Sequence, residues 1–295
     1  MKKLDYTKVK AEFDKKIFEN SKIDLLKKLK DTPSRYIGLF RPSKPHTKII
    51  QNITQSHEIK FGDAFELLIR QCFELYDYES LERNHTITNG DKVNFDQLFK
   101  KHNRTIFIEQ KIRDDHDSTK KRGQIDNFEK KLDYLISNGY SNISSYIYFI
   151  DPSLNKNKNY YLAEITKLKA FYKTDIKLCY GNELFKSEEL NNLWDEEIIS
   201  FLKRWRDELP SLPEINFDLN SKETFTEIKD LPIPVYRKLF DNQELIEIVF
   251  PIIFPQKTTL QLLIEYFLAQ SKKADKKAVL YKNLHSKLLE VIETY

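Results

Sequence analysis

Apolar residues recur at mostly three- and four-residue steps through Val9, Phe13, Ile17, Ile23, Leu26 and Leu29. Lysines cover the other face, which predicts amphipathic helices over residues 6–31. The pattern stops between Thr32 and Ser56. There "TPSRYIGLFRPSKPHTK" carries three prolines and a glycine, and an ordered loop or ribbon is expected. Ser56 then stands as a cap before Phe61, Phe65, Leu68, Ile69, Cys72 and Phe73, a wide apolar face that predicts a core helix.

Strand-like "HTITNGDKVNFDQLF" follows, with a turn expected at Asn89-Gly90, and Thr105 to Lys111 makes a second, more apolar run. After a polar loop, Ile125, Phe128, Leu132 and Leu135 mark one face of a helix from Gln124 to Ser137. "SSYIYFID" and "DIKLCYG" are two more short strands, separated by a polar loop and a candidate helix, "YYLAEITKLKAFYK". This alternation predicts an α/β fold, a mixed central sheet flanked by helices, with helical N- and C-terminal additions. "SEELNNLWDEEIISFLKRWRDEL" reads as a helix closed by Pro210, and the linker after it is the best boundary candidate. The expected division is an N-terminal extension over 1–54, a core over 55–209 and a mostly helical region over 210–295.

Composition narrows the class. The 295 residues are 40% hydrophobic and 13% aromatic, enough to bury a substantial core, which excludes a disordered or fibrous chain. "MKKLDYTKVK" lacks the apolar segment of a signal peptide, and the cysteines, Cys72 and Cys179, lie far apart in apolar segments, so a reduced cytoplasmic protein is expected. No apolar run reaches the roughly 18 residues of a membrane span. With 49 basic and 45 acidic residues the net charge of +4 is mild, so only local clusters bear on nucleic-acid binding.

One feature is out of place for an interior strand: the apolar run Thr105-Ile106-Phe107-Ile108 ends on Glu109-Gln110-Lys111. Side chains two apart on a strand share a face, so Glu109 and Lys111 point with Phe107. If Val93 to Lys100 pairs antiparallel with Thr105 to Lys111 across the loop Lys101 to Arg104, opposed residue numbers sum to 205 and Asp96 faces Glu109. Two carboxylates and an ammonium then converge within about 5 Å. Like charges there repel, and a divalent cation with hard oxygen ligands resolves the conflict.

Asp96, twelve intervening residues and Glu109-Gln110-Lys111 at a strand end resemble the PD-(D/E)xK nuclease core, within which the chain is most similar to type II restriction endonucleases. Phe95 stands where that pattern often has proline. The resemblance covers about residues 58–185. It implies Asp96, Glu109 and Lys111 as catalytic residues, with Mg²⁺ (or Mn²⁺) held by the two carboxylates. Glu66, in "FGDAFE" on the preceding helix, would be an additional acid holding metal through water, and Gln124 of "GQIDNF" a glutamine facing the site. The implied reaction is site-specific cleavage of double-stranded DNA to 5′-phosphate and 3′-hydroxyl ends, by a homodimer with a cognate DNA methyltransferase as genetic partner.

Simpler readings stay open. Asp96, Glu109 and Lys111 also fit a solvated strand-end salt bridge, Glu66 a surface glutamate, and Gln124 an ordinary helix start. Acid-x-lysine triplets recur at Asp14, Glu58, Glu129, Asp175, Glu227 and Asp275. Most lie on helix surfaces or in loops; Asp175 begins a strand instead of ending one. Arg113, Lys120, Lys121 and Arg122 are placed to contact phosphates beside the scissile bond, or are simply a charged loop. Arg35, Arg41 and Lys44 offer base or phosphate contacts, with Tyr36 and Phe40 for packing or stacking. Trp194 and Trp205 read as core or subunit-contact residues. His85, His102 and His116 lack metal-ligand spacing. The rival functions are a less specific repair, junction-resolving or defence nuclease, and a catalytically silent DNA-binding protein.

Overall fold

A computed structural model describes residues 3–86, 90, 92–274 and 276–295, and the chain divides into two units. One comprises Met1–Lys16 and Lys60–Leu209, the other Ile17–Ile59 and Pro210–Tyr295. The first 54 residues are therefore shared between units and form no extension of their own. The physical cause is burial: Leu25, Leu29, Tyr36, Ile49 and Ile53 enter one apolar core with Leu239, Val249, Phe267 and Leu288. Short amphipathic helices gain stability only by covering that face with another element.

At the N-terminus, helices α1 (Tyr6–Phe18) and α2 (Ser21–Asp31) follow the predicted periodicity. The expected ribbon is mostly helical instead, as α3 (Ser34–Ile37) and then α4 (Pro45–Leu75). Pro45 starts α4, where its fixed φ suits the first helical position and its missing N–H costs nothing. Ser56 lies inside this helix and is no cap. Ile49 and Ile53 continue the four-residue apolar spacing backwards from Phe61.

The first unit is built on a five-stranded mixed sheet. Its strands are β1 (Glu79–Ser80), β4 (Gln97–Lys101), β5 (Arg104–Lys111), β6 (Ile143–Phe149) and β7 (Asp175–Tyr180), in spatial order β1-β4-β5-β6-β7. The pairs β1·β4 and β4·β5 are antiparallel, whereas β5·β6 and β6·β7 are parallel. Strands β2 (Asn84–Thr86) and β3 (Lys92–Asn94) form a separate antiparallel pair, so the strand expected over 93–100 is broken at Phe95 and Asp96. Asn89 of the expected turn lies outside the described residues. The β4·β5 register pairs Gln97 with Ile108, Leu98 with Phe107 and Lys100 with Thr105, each pair summing to 205 as expected. Lys101 also pairs with Arg104, which leaves a two-residue turn, His102-Asn103, with His102 at φ 55°.

Each sheet face has its own helical cover. Phe107 stacks on Phe128 of α5 (Ser118–Ser137), while Ile147, Phe149 and Ile176 share that core with Tyr161 and Ile165 of α6 (Lys158–Tyr172). On the opposite face Phe99 stacks on Phe73 of α4, and Tyr148 meets Phe185 of α7 (Glu183–Ser187). The helix expected before Pro210 is a π-helical turn, Trp194–Ile199, running into α8 (Ser200–Asp207), with both tryptophans buried.

The second unit adds six C-terminal helices to α2 and α3. They are α9 (Ser221–Ile228), α10 (Ile233–Phe240), α11 (Gln243–Ile248), α12 (Phe250–Ile253), α13 (Thr258–Ser271) and α14 (Ala278–Thr294). Among the described residues no helix is long and apolar enough to cross a membrane. Cys72 and Cys179 are free and buried.

Candidate active site

The charges that end β5 are turned inward: Glu109 is only 2% exposed. Asp96 occupies the bend just before β4, one step past the Gln97–Ile108 pair, so the break in the strand does not turn it away from Glu109. Its Oδ2 accepts hydrogen bonds from the Gln110 backbone N–H at 2.8 Å and from Lys111 Nζ at 2.8 Å. Lys111 Nζ also lies 3.1 Å from Glu109 Oε1 and donates to the Gln110 carbonyl oxygen at 2.8 Å. One ammonium is thus held by three oxygens from three residues. Burial alone would lower the Lys111 pKa, but the Glu109 and Asp96 carboxylates outweigh it and hold the pKa above the usual lysine range.

A second ammonium was not foreseen. Lys131 of α5, 4% exposed, donates to Glu109 Oε2 and lies 3.6 Å from Asp96 Oδ1. Asn127, one turn earlier, donates from Nδ2 to Glu109 Oε1 at 3.2 Å. The triplet Glu129 to Lys131, which reads as helix surface, therefore has its lysine in the core. Its position gave the signal: Lys131 stands three after Phe128 and four before Leu135, on the apolar stripe of α5.

Glu66 of α4 joins from the far side of Asp96. Arg83 Nη1 donates to Glu66 Oε2 at 3.3 Å and to the Asp96 carbonyl oxygen at 2.9 Å, tying the two acidic residues together. A cleft of about 310 Å³ opens here, lined by Glu66, Asp96, Lys16, Arg70, Arg83 and Asn94. No local sequence signal marks Arg83, because its partners lie on other elements.

Burial, and then the neighbouring Asp96 carboxylate, push the Glu66 carboxyl from its ordinary 4.5 up to about 7. Between those values the folded protein keeps a proton that the unfolded chain releases. Stability from this group is full below 4.5 and is lost as pH rises through 7. In EDTA the wild-type Tm should therefore fall more steeply from pH 5 to pH 8 than that of Glu66→Gln. Parallel Tm profiles for the two proteins would show that Glu66 carries no such shift.

Residues 74–206 match the family model described as type II restriction endonuclease, HinfI. The match supports a restriction-endonuclease-like nuclease core in this part of the chain. The matched segment contains Asp96, Glu109, Lys111, Asn127 and Lys131 together with all five strands of the main sheet. Neither the curated proteins nor the solved structures yield a match.

Within the matched segment the expected charged loop is largely helical. Asp117 caps α5, accepting from the N–H groups of Thr119 and Lys120 at 3.0 and 2.9 Å, so Lys120, Lys121 and Arg122 stand on its first turns. Lys120 and Arg122 are exposed, Lys121 lies over the Tyr160 ring, and Arg113 is exposed in the segment after β5. Gln124 is not brought to the acidic cluster: its Oε1 accepts from the Tyr161 hydroxyl, and Asn127 and Lys131 are the α5 residues that bond to Glu109. Arg35, Arg41 and Lys44 belong to the second unit and are exposed, with Arg41 Nε donating to the Ser34 carbonyl. Of the paired aromatics, Tyr36 is buried and Phe40 is fully exposed.

Among the described residues no group of three or more His, Cys, Asp or Glu is gathered into a metal-binding set. The test of fit lies in the cage around Lys111 Nζ. Two carboxylate oxygens and one carbonyl oxygen already converge there on a positive charge, and the flanking acid Glu66 interacts electrostatically with Asp96. An all-oxygen set with two carboxylates and positions left for water suits a small hard divalent cation such as Mg²⁺. Asp96, Glu109 and the Gln110 carbonyl thus offer donors of the right chemistry.

Proposed function

We propose that the protein is a sequence-specific, Mg²⁺-dependent endonuclease of the type II restriction kind, cutting double-stranded DNA to 5′-phosphate and 3′-hydroxyl ends. The observation that carries this reading is the Lys111 ammonium seated between Asp96 Oδ2, Glu109 Oε1 and the Gln110 carbonyl oxygen. When bound by those oxygens, a divalent cation supplies polarisation of the scissile phosphate and a water of lowered pKa.

The chain's own residues do the rest. Asp96 and Glu109 are fixed by the Gln110 N–H, Asn127 and Lys131, so their oxygens need no reorganisation during the reaction. Lys111, with a side chain 34% exposed, is the lysine that reaches the substrate and offsets charge developing on the phosphate. Glu66, tied to Asp96 through Arg83, orients water at the edge of the site. Lys16, Arg70 and Arg83 place three cationic groups in the cleft beside its acids Asp63, Glu66 and Asp96, within reach of a DNA backbone that enters it.

Recognition sites read by such enzymes are usually two-fold symmetric, so a homodimer with one active site per strand is the matching assembly, and a methyltransferase of the same specificity protects the host. Digestion of unmodified plasmid DNA with Mg²⁺ tests the reading. Discrete fragments whose ends ligate directly are expected. A smear would indicate a less specific nuclease, and uncut DNA with retained binding a silent DNA-binding protein.

A further inference from the structure

The four carboxylate oxygens of the site are divided between two lysines. Lys111 faces Asp96 Oδ2 at 2.8 Å and Glu109 Oε1 at 3.1 Å, while Lys131 faces Asp96 Oδ1 at 3.6 Å and pairs with Glu109 Oε2. The two differ in access: the Lys111 side chain is 34% exposed and that of Lys131 only 5%. Lys131 is anchored on a helix whose Phe128, Leu132 and Leu135 are fully buried in the sheet core. A side chain so enclosed has no solvent route along which to leave, whereas Lys111 has one.

We propose that Lys131 is a positioning residue that stays on Glu109 Oε2 and Asp96 Oδ1 when a divalent cation takes the cage that Lys111 occupies here. This rests on the reading that Asp96 and Glu109 bind such a cation. Lys131 then has two effects of opposite sign. It holds Glu109 in one orientation, with Oε1 toward the cage, and so favours cleavage. As a fixed positive charge beside the cation it also weakens cation binding. The site trades affinity for orientation, and its net charge with cation and both lysines is +2, from two carboxylates, two ammoniums and one divalent ion. That positive balance favours the anionic scissile phosphate.

A residue that merely supports Glu109 would lower cation affinity and cleavage together when removed. The present assignment separates them. The probe is Ca²⁺, titrated calorimetrically into the full-length protein, with single-turnover cleavage in Mg²⁺ measured in parallel. Lys131→Met should bind Ca²⁺ at least about tenfold tighter, the effect of one unit charge about 5 Å from a divalent ion even at the dielectric of water. It should also cut DNA at least about tenfold more slowly, with KM for DNA unchanged. Lys131→Arg, which keeps the charge, should retain wild-type Ca²⁺ affinity. Should Lys131→Met fold too poorly for calorimetry, the rise in Tm on adding Ca²⁺ serves instead, and should be larger for Lys131→Gln than for wild type. Unchanged or weaker Ca²⁺ binding in the neutral variants, beside a wild type that binds and cuts, would overturn the role of Lys131 alone. A wild type that neither binds Ca²⁺ nor cuts DNA with Mg²⁺ would overturn this role and the nuclease reading together.

Discussion

Glu109→Gln should reduce single-turnover DNA cleavage by at least about 10²–10³-fold, the usual scale for removing one preorganised electrostatic contact from an active site. The amide keeps the shape of the side chain and its place at the end of β5, so the sheet and its register are preserved. What is lost is charge. Glu109 Oε1 is one of the three oxygens around Lys111 Nζ, and Oε2 is the closer partner of Lys131. An uncharged amide would leave Lys131 buried with only Asp96 Oδ1, at 3.6 Å, to balance it. The Tm in EDTA should therefore fall as well, while DNA retention in a gel shift without metal should stay near wild type. A cleavage rate within tenfold of wild type would remove Glu109 from the reaction.

Arg104→Met should destabilise the first unit by about 1–3 kcal/mol, the usual cost of leaving a buried acceptor short of a partner, because Glu188 is enclosed while the Arg104 side chain is 31% exposed. The Glu188 side chain is fully enclosed, and its charge is balanced by the Arg104 guanidinium at Oε2. Tyr78 donates to the same oxygen at 2.8 Å and Tyr146 to Oε1. Burial, together with these bonds to Glu188, pushes both tyrosine pKa values well above the usual range, so each hydroxyl remains a donor. Without Arg104 the carboxylate keeps two neutral partners and no counter-charge. Urea unfolding monitored by tryptophan fluorescence would report the loss, and a change below about 1 kcal/mol would mean that the tyrosines alone satisfy Glu188. None of these four residues belongs to the acidic cluster at the end of β5, so cleavage at low temperature should persist.

The Asp96–Glu109 juxtaposition was legible because it depends on two local facts. The apolar run in β5 fixes which side chains share a face, and a short connection fixes which residues oppose each other; both are readable from spacing. The break at Phe95 was not, since the pairing of β3 with β2 competes with continuation into β4. Helix starts were misplaced where a helix begins ahead of its visible apolar face. Ser56 was a plausible cap, yet the four-residue spacing of Ile49 and Ile53 carries α4 back to Pro45. Asp117 likewise starts α5 ahead of the first apolar contact at Ile125. Lys131 was hidden by chemistry: a lysine on a helix is normally solvated, and only its place on the apolar stripe argues otherwise. The grouping of residues 17–59 with the C-terminal helices depends on contacts distant in sequence, which periodicity does not encode.

The most direct test of the central claim compares wild type with Asp96→Ala on supercoiled plasmid DNA, each with Mg²⁺ and with EDTA. Asp96 supplies one of the oxygens that converge with Glu109 and the Gln110 carbonyl on a single positive charge. Wild type with Mg²⁺ should convert the plasmid to discrete linear products, and the other three arms should leave it intact. Cleavage by Asp96→Ala at the wild-type rate, or by wild type in EDTA, would contradict a metal-dependent active site at the end of β5.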